Sequence, residues 1–234
     1  MRIRFFVIIC IFVLSCPVYG VGICDKYLGT KYISDPLGEA TEPDLDPLMR
    51  FDAFDCVTFV ETCLSNGDLQ KLNKIRYHDG KIDFLHRNHF VESDWIENNS
   101  SIIKNVSSKY AATDIRNITI DKQNWLIKTH NTQTKIPKKD VKLEYIPYNN
   151  IQSIKNKNDL IVLFIVGKSK NSDIIGTDLA VVHMGFLLSG GKTLRHASSA
   201  FGYVMDTDFL NYVSERQKNK NNIGIVLLEI KNDK

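Results

Sequence analysis

Hydrophobic and polar positions change character several times along the chain. Residues 5–14 form an unbroken apolar run behind Arg2 and Arg4, and residues 15–20 turn to small residues. Residues 24–49 show little apolar periodicity. They are punctuated by Ser34-Asp35-Pro36-Leu37-Gly38 and Glu42-Pro43-Asp44, which predicts short helices or loops wrapping a core. The pattern becomes helical over residues 55–72. Cys56, Val60, Cys63 and Leu64 share one stripe at 3.6-residue spacing, Val57 and Phe59 flank it, and Gly67 is a stop signal. Residues 77–95 are dense in His, aromatic and charged side chains and read as surface or cleft rather than core. Residues 96–139 are polar, with short alternating pieces such as Ile118-Thr119-Ile120. The stretch from about 100 to 150 is read as an insertion carrying a few strands, punctuated by Pro137 and Pro147.

The last third is β in character. Residues 159–166 and 179–188 are apolar, β-branched runs predicted as buried strands. Ser189-Gly190-Gly191-Lys192 is a hairpin turn, residues 193–197 return from it, and residues 223–230 form a closing buried strand. A helix followed by an antiparallel sheet is an α+β arrangement, and no internal repeat or low-complexity tract interrupts it.

The N-terminal run has the layout of a secretory signal: positive start, short apolar stretch, small-residue exit. It is short for a transmembrane span, although an N-terminal membrane anchor is the competing reading. Val18-Tyr19-Gly20 suits ordinary cleavage after residue 20. Val13-Leu14-Ser15-Cys16 resembles a lipoprotein signal of residues 1–15, in which Cys16 would be lipidated and attach the protein to the membrane. Plain cleavage is favoured, which leaves residues 21–234 as a single domain in the periplasm, cell envelope or medium. The charge balance, 30 Lys and Arg against 27 Asp and Glu, is spread along the chain, so nucleic acid is not an expected partner. No oligomerisation signal stands out, and a monomer is expected.

Five cysteines at no framework spacing do not make a disulfide scaffold. Cys10 leaves with the signal. Cys56 and Cys63, seven positions apart on one helix, would be about 10 Å apart, beyond disulfide reach. Cys56 is therefore expected to be a free thiol unless Cys24 reaches it.

A thiol in the first turn of a helix sits where the macrodipole and unpaired N–H groups favour a thiolate, and its own N–H can help hold an oxyanion. The base would be His183. On its strand Val181, His183 and Gly185 face one side. A histidine there is ordinarily a hydrogen-bonded core residue, but His196 lies across the Gly190-Gly191 turn near the same level. Cys56, His183 and His196 then supply nucleophile, base and orienting group. A Cys-His-His zinc site is the competing arrangement, although no CxxC or HxxxH pair supports it. His78, His86 and His89, with Arg76, Arg87, Asp94 and Trp95, line a cleft or form a polar surface. Glu61, five residues beyond Cys56, is read as pointing away from it, as a solvated or salt-bridged helix carboxylate. Trp95 and Trp125 read as packing residues, and Asp52 and Asp55 as helix caps.

These residues also match known motifs. Asp55-Cys56-Val57-Thr58-Phe59-Val60, His183-Met184-Gly185-Phe186 and His196-Ala197-Ser198-Ser199, followed by Gly202 and Val204, resemble the NlpC-type papain-like cell-wall cysteine hydrolases. The hydroxyl residue that follows the cysteine in that superfamily is displaced by one here, to Thr58. That departure, within residues 51–62, is similar to the N-acetylmuramoyl-L-alanine amidase-like branch. So are Arg76-Tyr77-His78-Asp79-Gly80, Arg87-Asn88-His89-Phe90 and Asp94-Trp95. The resemblance implies a papain-like α+β fold, with the nucleophile helix packed on a central antiparallel sheet. It implies hydrolysis, through a thioester, of the bond between N-acetylmuramic acid and L-alanine in peptidoglycan or muropeptide fragments. Cys56, His183 and His196 would be catalytic. Asp55, Arg87, Asn88, His89, Asp94 and Trp95 are substrate-binding candidates, and no cofactor or metal is implied. A γ-D-glutamyl endopeptidase of the same fold is the first alternative. A catalytically inactive cell-wall-binding module is the second.

Overall fold

A ten-stranded, mostly antiparallel sheet forms the centre of the computed structural model, which describes residues 23–152 and 154–231. The apolar run read as a secretory signal and Cys16 both lie outside the described residues. In chain order the strands are β1 (Lys31–Tyr32), β2 (Ala53–Phe54), β3 (Ile103–Asn105), β4 (Asp114–Ile120), β5 (Lys139–Pro147), β6 (Leu160–Val166), β7 (Val181–Leu187), β8 (Thr193–Ser198), β9 (Tyr203–Asp208) and β10 (Asn222–Ile230). Their order across the sheet is β2-β1-β9-β8-β7-β6-β10-β5-β4, with β3 also on β10. Only β1 and β2 pair in parallel. The helices are α1 (Cys56–Leu64), α2 (Leu69–Arg76), α3 (Ile96–Asn98), α4 (Lys122–His130), α5 (Ser172–Ile175) and α6 (Phe209–Gln217). None is long and apolar enough to cross a membrane, among the described residues.

The unbroken apolar run of β6 follows from cover on both faces. Ile161, Leu163 and Ile165 join a core with Phe59, Val60, Met184 and Phe186 beneath α1. Leu160, Val162 and Phe164 join a second core with Leu187, Leu194, Phe209 and Val213 beneath α6. Neither α6 nor β9 has a counterpart among the elements predicted from pattern alone.

The helical stretch read over residues 55–72 is two helices. Asp55 caps α1 in a capping box: its carboxylate accepts from the Thr58 N–H at 2.7 Å, and its own N–H donates to Thr58 Oγ1 at 3.0 Å. Asn66 and Gly67 adopt positive φ (52° and 74°) and end the helix, and Asp68 caps α2 through the Lys71 N–H. Cys24 does not reach Cys56; it is bonded to Cys63, with Cα atoms 5.8 Å apart, and Cys56 is free. This ties the N-terminal arm to α1. Tyr27, on that arm, packs edge-on against Phe54.

Residues 77–95 are in part the surface and cleft segment their polarity implies, and in part core. Tyr77, Phe84, Phe90 and Trp95 are buried, because each polar residue between them has found a partner. The 100–150 segment supplies β3, β4 and β5 to the same sheet. β4 and β5 form a long hairpin-like pair at its edge, with α4 between them.

Candidate active site

Cys56 opens α1 at the point where β7 and β8 part. Those strands pair only at Phe186–Arg195 and Leu187–Leu194. Toward its start β7 no longer pairs with β8, and the backbone N–H groups of Met184, Cys56 and Val57 act to lower the Cys56 thiol. Gly185 makes the geometry possible. A Cβ there would lie 2.6 Å from the Arg195 carbonyl oxygen and 2.8 Å from His196 Cβ, so only glycine lets His196 cross at this level.

The two histidines meet. His183 Nε2 and His196 Nδ1 are 2.7 Å apart, and His196 Nε2 lies 3.3 Å from Thr207 Oγ1 on β9. One consistent proton assignment runs through this chain: His183 donates Nε2–H to His196, and His196 donates Nε2–H to Thr207. His183 Nδ1 is then left unprotonated. Tyr212 of α6 packs against both rings, at 6.1 Å from His183 and 5.1 Å from His196. Thr207 and Tyr212 were not legible beforehand, since neither stands in a recognisable motif.

The electrostatics correct one expectation. The helix-start position does not favour the thiolate in the resting site. Burial and the adjacent Asp55 carboxylate push the Cys56 thiol up to about 12, against the pull of the three N–H groups. Burial also holds His183 well below its ordinary value, helped by its neighbours His196 and Arg216, and lowers His196 to about 4. The resting pair is a neutral thiol and a neutral imidazole. The phenol of Tyr32 on β1 is raised by burial and by the nearby Cys56 and Asp55, which places it at the same site.

A cleft of about 420 Å³ opens beside the start of α1, lined by Asp55, Val57 and Thr58. Four rings, Phe84, His89, Trp125 and His130, cluster in its wall with centroids 4.7–4.9 Å apart. Carboxylates are plentiful: Asp35, Asp44, Asp46, Asp55 and Glu61 all line it. Trp125 is thus a wall residue as well as a packing one.

Asp55, Arg87, Asn88 and His89 lie together in this cleft. Their polar groups are largely committed. Arg87 holds Glu39 with two contacts at 2.6–2.7 Å and Asp44 at 2.6 Å, Asn88 donates to the Ile75 carbonyl, and His89 Nε2 is 2.6 Å from the Phe84 carbonyl. The other two candidates lie elsewhere. Asp94 pairs with Lys122 at 3.1 Å, and Trp95 is fully buried, its indole N–H donating to Glu61 at 3.0 Å, so Trp95 has no surface to offer a ligand. Glu61 is the salt-bridged carboxylate of its two readings, not the solvated one, and it does not point away from the site. It is buried against Arg76 at 3.3 Å and borders the cleft, and burial pushes its carboxyl up to about 7 although Arg76 and Trp95 hold it down. His78 and His86 take no part in this cleft; they pair with Asn98 and with Asp83. Asp52 is exposed and pairs with Arg50 rather than capping α1. Among the described residues no group of three or more His, Cys, Asp or Glu side chains is arranged to hold a metal ion.

A free cysteine at a helix start and a hydrogen-bonded pair of histidines on neighbouring strands are thus set in an α+β frame. The chain belongs to the AmiA-like family, described as N-acetylmuramoyl-L-alanine amidase-like, whose model matches residues 22–223. Its fold is shared with protein LPG0564 from Legionella pneumophila, at 24% identity over 89% of this chain and 87% of that one, TM-score 0.81. It is shared also with an N-acetylmuramoyl-L-alanine amidase from Bacteroides uniformis, at 22% identity over 88% of this chain and 96% of that one, TM-score 0.68. No curated protein matches the chain.

Proposed function

We propose that this protein is a cysteine-dependent N-acetylmuramoyl-L-alanine amidase of the NlpC-type papain-like kind, acting on peptidoglycan or muropeptides outside the cytoplasm. The observation that carries the reading is the His183–His196 contact of 2.7 Å, on the strand where the next residue, Met184, acts through its N–H on the free, half-buried Cys56. Membership of the N-acetylmuramoyl-L-alanine amidase-like family supports the choice of bond.

In this reading His183 Nδ1 takes the thiol proton as the sulfur attacks the lactyl carbonyl of the muramic acid. Proton transfer and attack are coupled, because a thiolate beside Asp55 is unfavourable until an imidazolium stands next to it. His196 orients His183 and shares the positive charge through its own link to Thr207. The free N–H groups at the start of α1 face the developing oxyanion. The imidazolium then protonates the departing amine of L-alanine, leaving a thioester that water hydrolyses. The aromatic wall of Trp125 and Phe84 with the carboxylates Asp35, Asp44 and Asp46 suits a sugar: rings stack on its apolar face and carboxylates accept from its hydroxyls. That favours the amidase over an endopeptidase that grips peptide on both sides of its bond.

Digestion of purified muropeptides by the wild-type protein and by Cys56→Ala tests this reading. Wild type is expected to release stem peptides, and Cys56→Ala to release none. Equal digestion by both would end the cysteine mechanism, and no digestion by either would leave the binding-module reading for the fold.

A further inference from the structure

The aromatic cleft opens on the Cys56 side of the site. A second hollow, of about 540 Å³, opens on the His183 side, lined by Val181 and Val182 directly before the histidine and by Arg216. The first cleft is lined by Arg76 and Arg87 as well, but carboxylates hold both and outnumber them; the charge of the second is opposite. Lys168, Lys170 and Arg216 line it, with amide groups from Asn171 and Asn221, and no carboxylate lines it. None of these three cations forms an ion pair with any described residue.

Arg216 is placed as a fixed charge. Its guanidinium lies 5.3 Å from the Phe164 ring centroid and 5.9 Å from that of Tyr212, the two rings that flank His183. Its Nε is buried with no hydrogen-bond partner among the described residues. Its Nη2 donates to Asn222 Oδ1 at 3.2 Å, and a half-buried guanidinium without a carboxylate partner is favourable ground for an anion. The loop carrying Lys168 is held in place: the Lys168 N–H donates to Asn221 Oδ1 at 3.1 Å, and Asn221 Nδ2 donates back to the Lys168 carbonyl at 2.7 Å. The hollow is therefore a formed, cationic surface adjoining the base, opposite in sign to the carboxylate-rich cleft at the nucleophile.

We infer that this hollow binds the carboxylates of the peptide leaving group, in particular the carboxylate of the D-glutamyl residue that follows L-alanine. The inference rests on the amidase reading for the identity of the leaving group. A substrate with a neutral sugar at one end and an anionic peptide at the other meets matched fields only in one direction: sugar in the acidic aromatic cleft, peptide in the basic hollow. The reverse placement sets the glutamyl carboxylate against Asp35, Asp44 and Asp46.

Two probes test it. The first compares kcat/KM for N-acetylmuramoyl-L-alanyl-D-glutamate with that for the same compound with both carboxyls amidated. In the Lys168→Gln/Lys170→Gln protein the preference for the acid form should fall about tenfold, mainly through KM, the scale expected for two exposed charge contacts. The second measures binding of the dipeptide L-alanyl-D-glutamate to Cys56→Ala protein by calorimetry. The same two substitutions, or raised salt, should weaken it about tenfold. A preference unmoved by the substitutions, together with dipeptide binding indifferent to them, overturns the inference. If neither muramoyl compound is cut while the dipeptide still binds through the lysines, the hollow stands and the bond assignment falls.

Discussion

At the scale of single residues the site is built around two suppressed charges. Asp55 caps α1 and opposes ionisation of Cys56 at once. Asp55→Asn keeps a competent cap, so stability should change by less than about 1 kcal/mol. The Cys56 thiol should ionise at lower pH, seen as an acid-ward shift in the pH profile of alkylation by iodoacetamide; an unchanged or alkaline-shifted profile would contradict the account. The histidines set a pH dependence whose sign is fixed. His196 is lowered to about 4 in the fold against an ordinary 6.5, so between those values the unfolded chain binds a proton that the folded one does not. Its contribution to stability is present above 6.5 and is lost as pH falls toward 4, on the order of 3 kcal/mol in all. His183 acts in the same direction. Glu61 acts in the opposite one: its raised carboxyl keeps a proton that the unfolded chain loses, so its contribution falls as pH rises from 4.5 to about 7. The comparison is thus with His196→Gln, whose melting temperature should depend less steeply on pH between 4 and 6.5 than that of wild type. An equal slope would show that His196 is not held neutral by the fold.

At the scale of elements the decisive feature is the parting of β7 from β8, with Gly185 between. Gly185→Ala must push the strands apart, costing about 1–3 kcal/mol and, by displacing His196, lowering kcat on the order of a hundredfold. Full activity in a folded Gly185→Ala protein would separate His196 from catalysis. The Cys24–Cys63 bond closes a loop across a separation of 39 residues, so its reduction should cost about 4 kcal/mol and lower the melting temperature by roughly 8–16 °C. Much of this level was legible in sequence. The buried strands β6, β7 and β10, the Gly190-Gly191 turn, the free Cys56 and the meeting of His183 with His196 follow from period, turn chemistry and motif. What was not legible depends on tertiary partners. Trp95 reads as a packing residue and is one, but its partner is not readable along the chain: Glu61 is buried where it accepts the Trp95 indole N–H and pairs with Arg76. The thiol's environment was misread for the same reason: the helix-start effect is local, whereas burial against β7 is not. Helix α6, with Tyr212 and Arg216, carries too mixed a pattern to announce its place behind the histidines.

At the scale of the whole molecule, an acidic, aromatic cleft and a basic hollow lie on the two sides of the pair proposed to be catalytic. This division is invisible in a net charge of +3, which averages it away. The chemistry assigned to Cys56 needs only protein groups, so activity should survive prolonged chelation by EDTA; loss that zinc restores would favour the Cys-His-His metal arrangement instead. The central claim is that Cys56 cuts the bond between sugar and peptide. Mass spectrometry of muropeptides digested by wild-type and Cys56→Ala protein tests it most directly. The account predicts intact stem peptides beginning with L-alanine together with peptide-free sugar, from wild type alone. Peptides cut after D-glutamate, or the same products from Cys56→Ala, would contradict it.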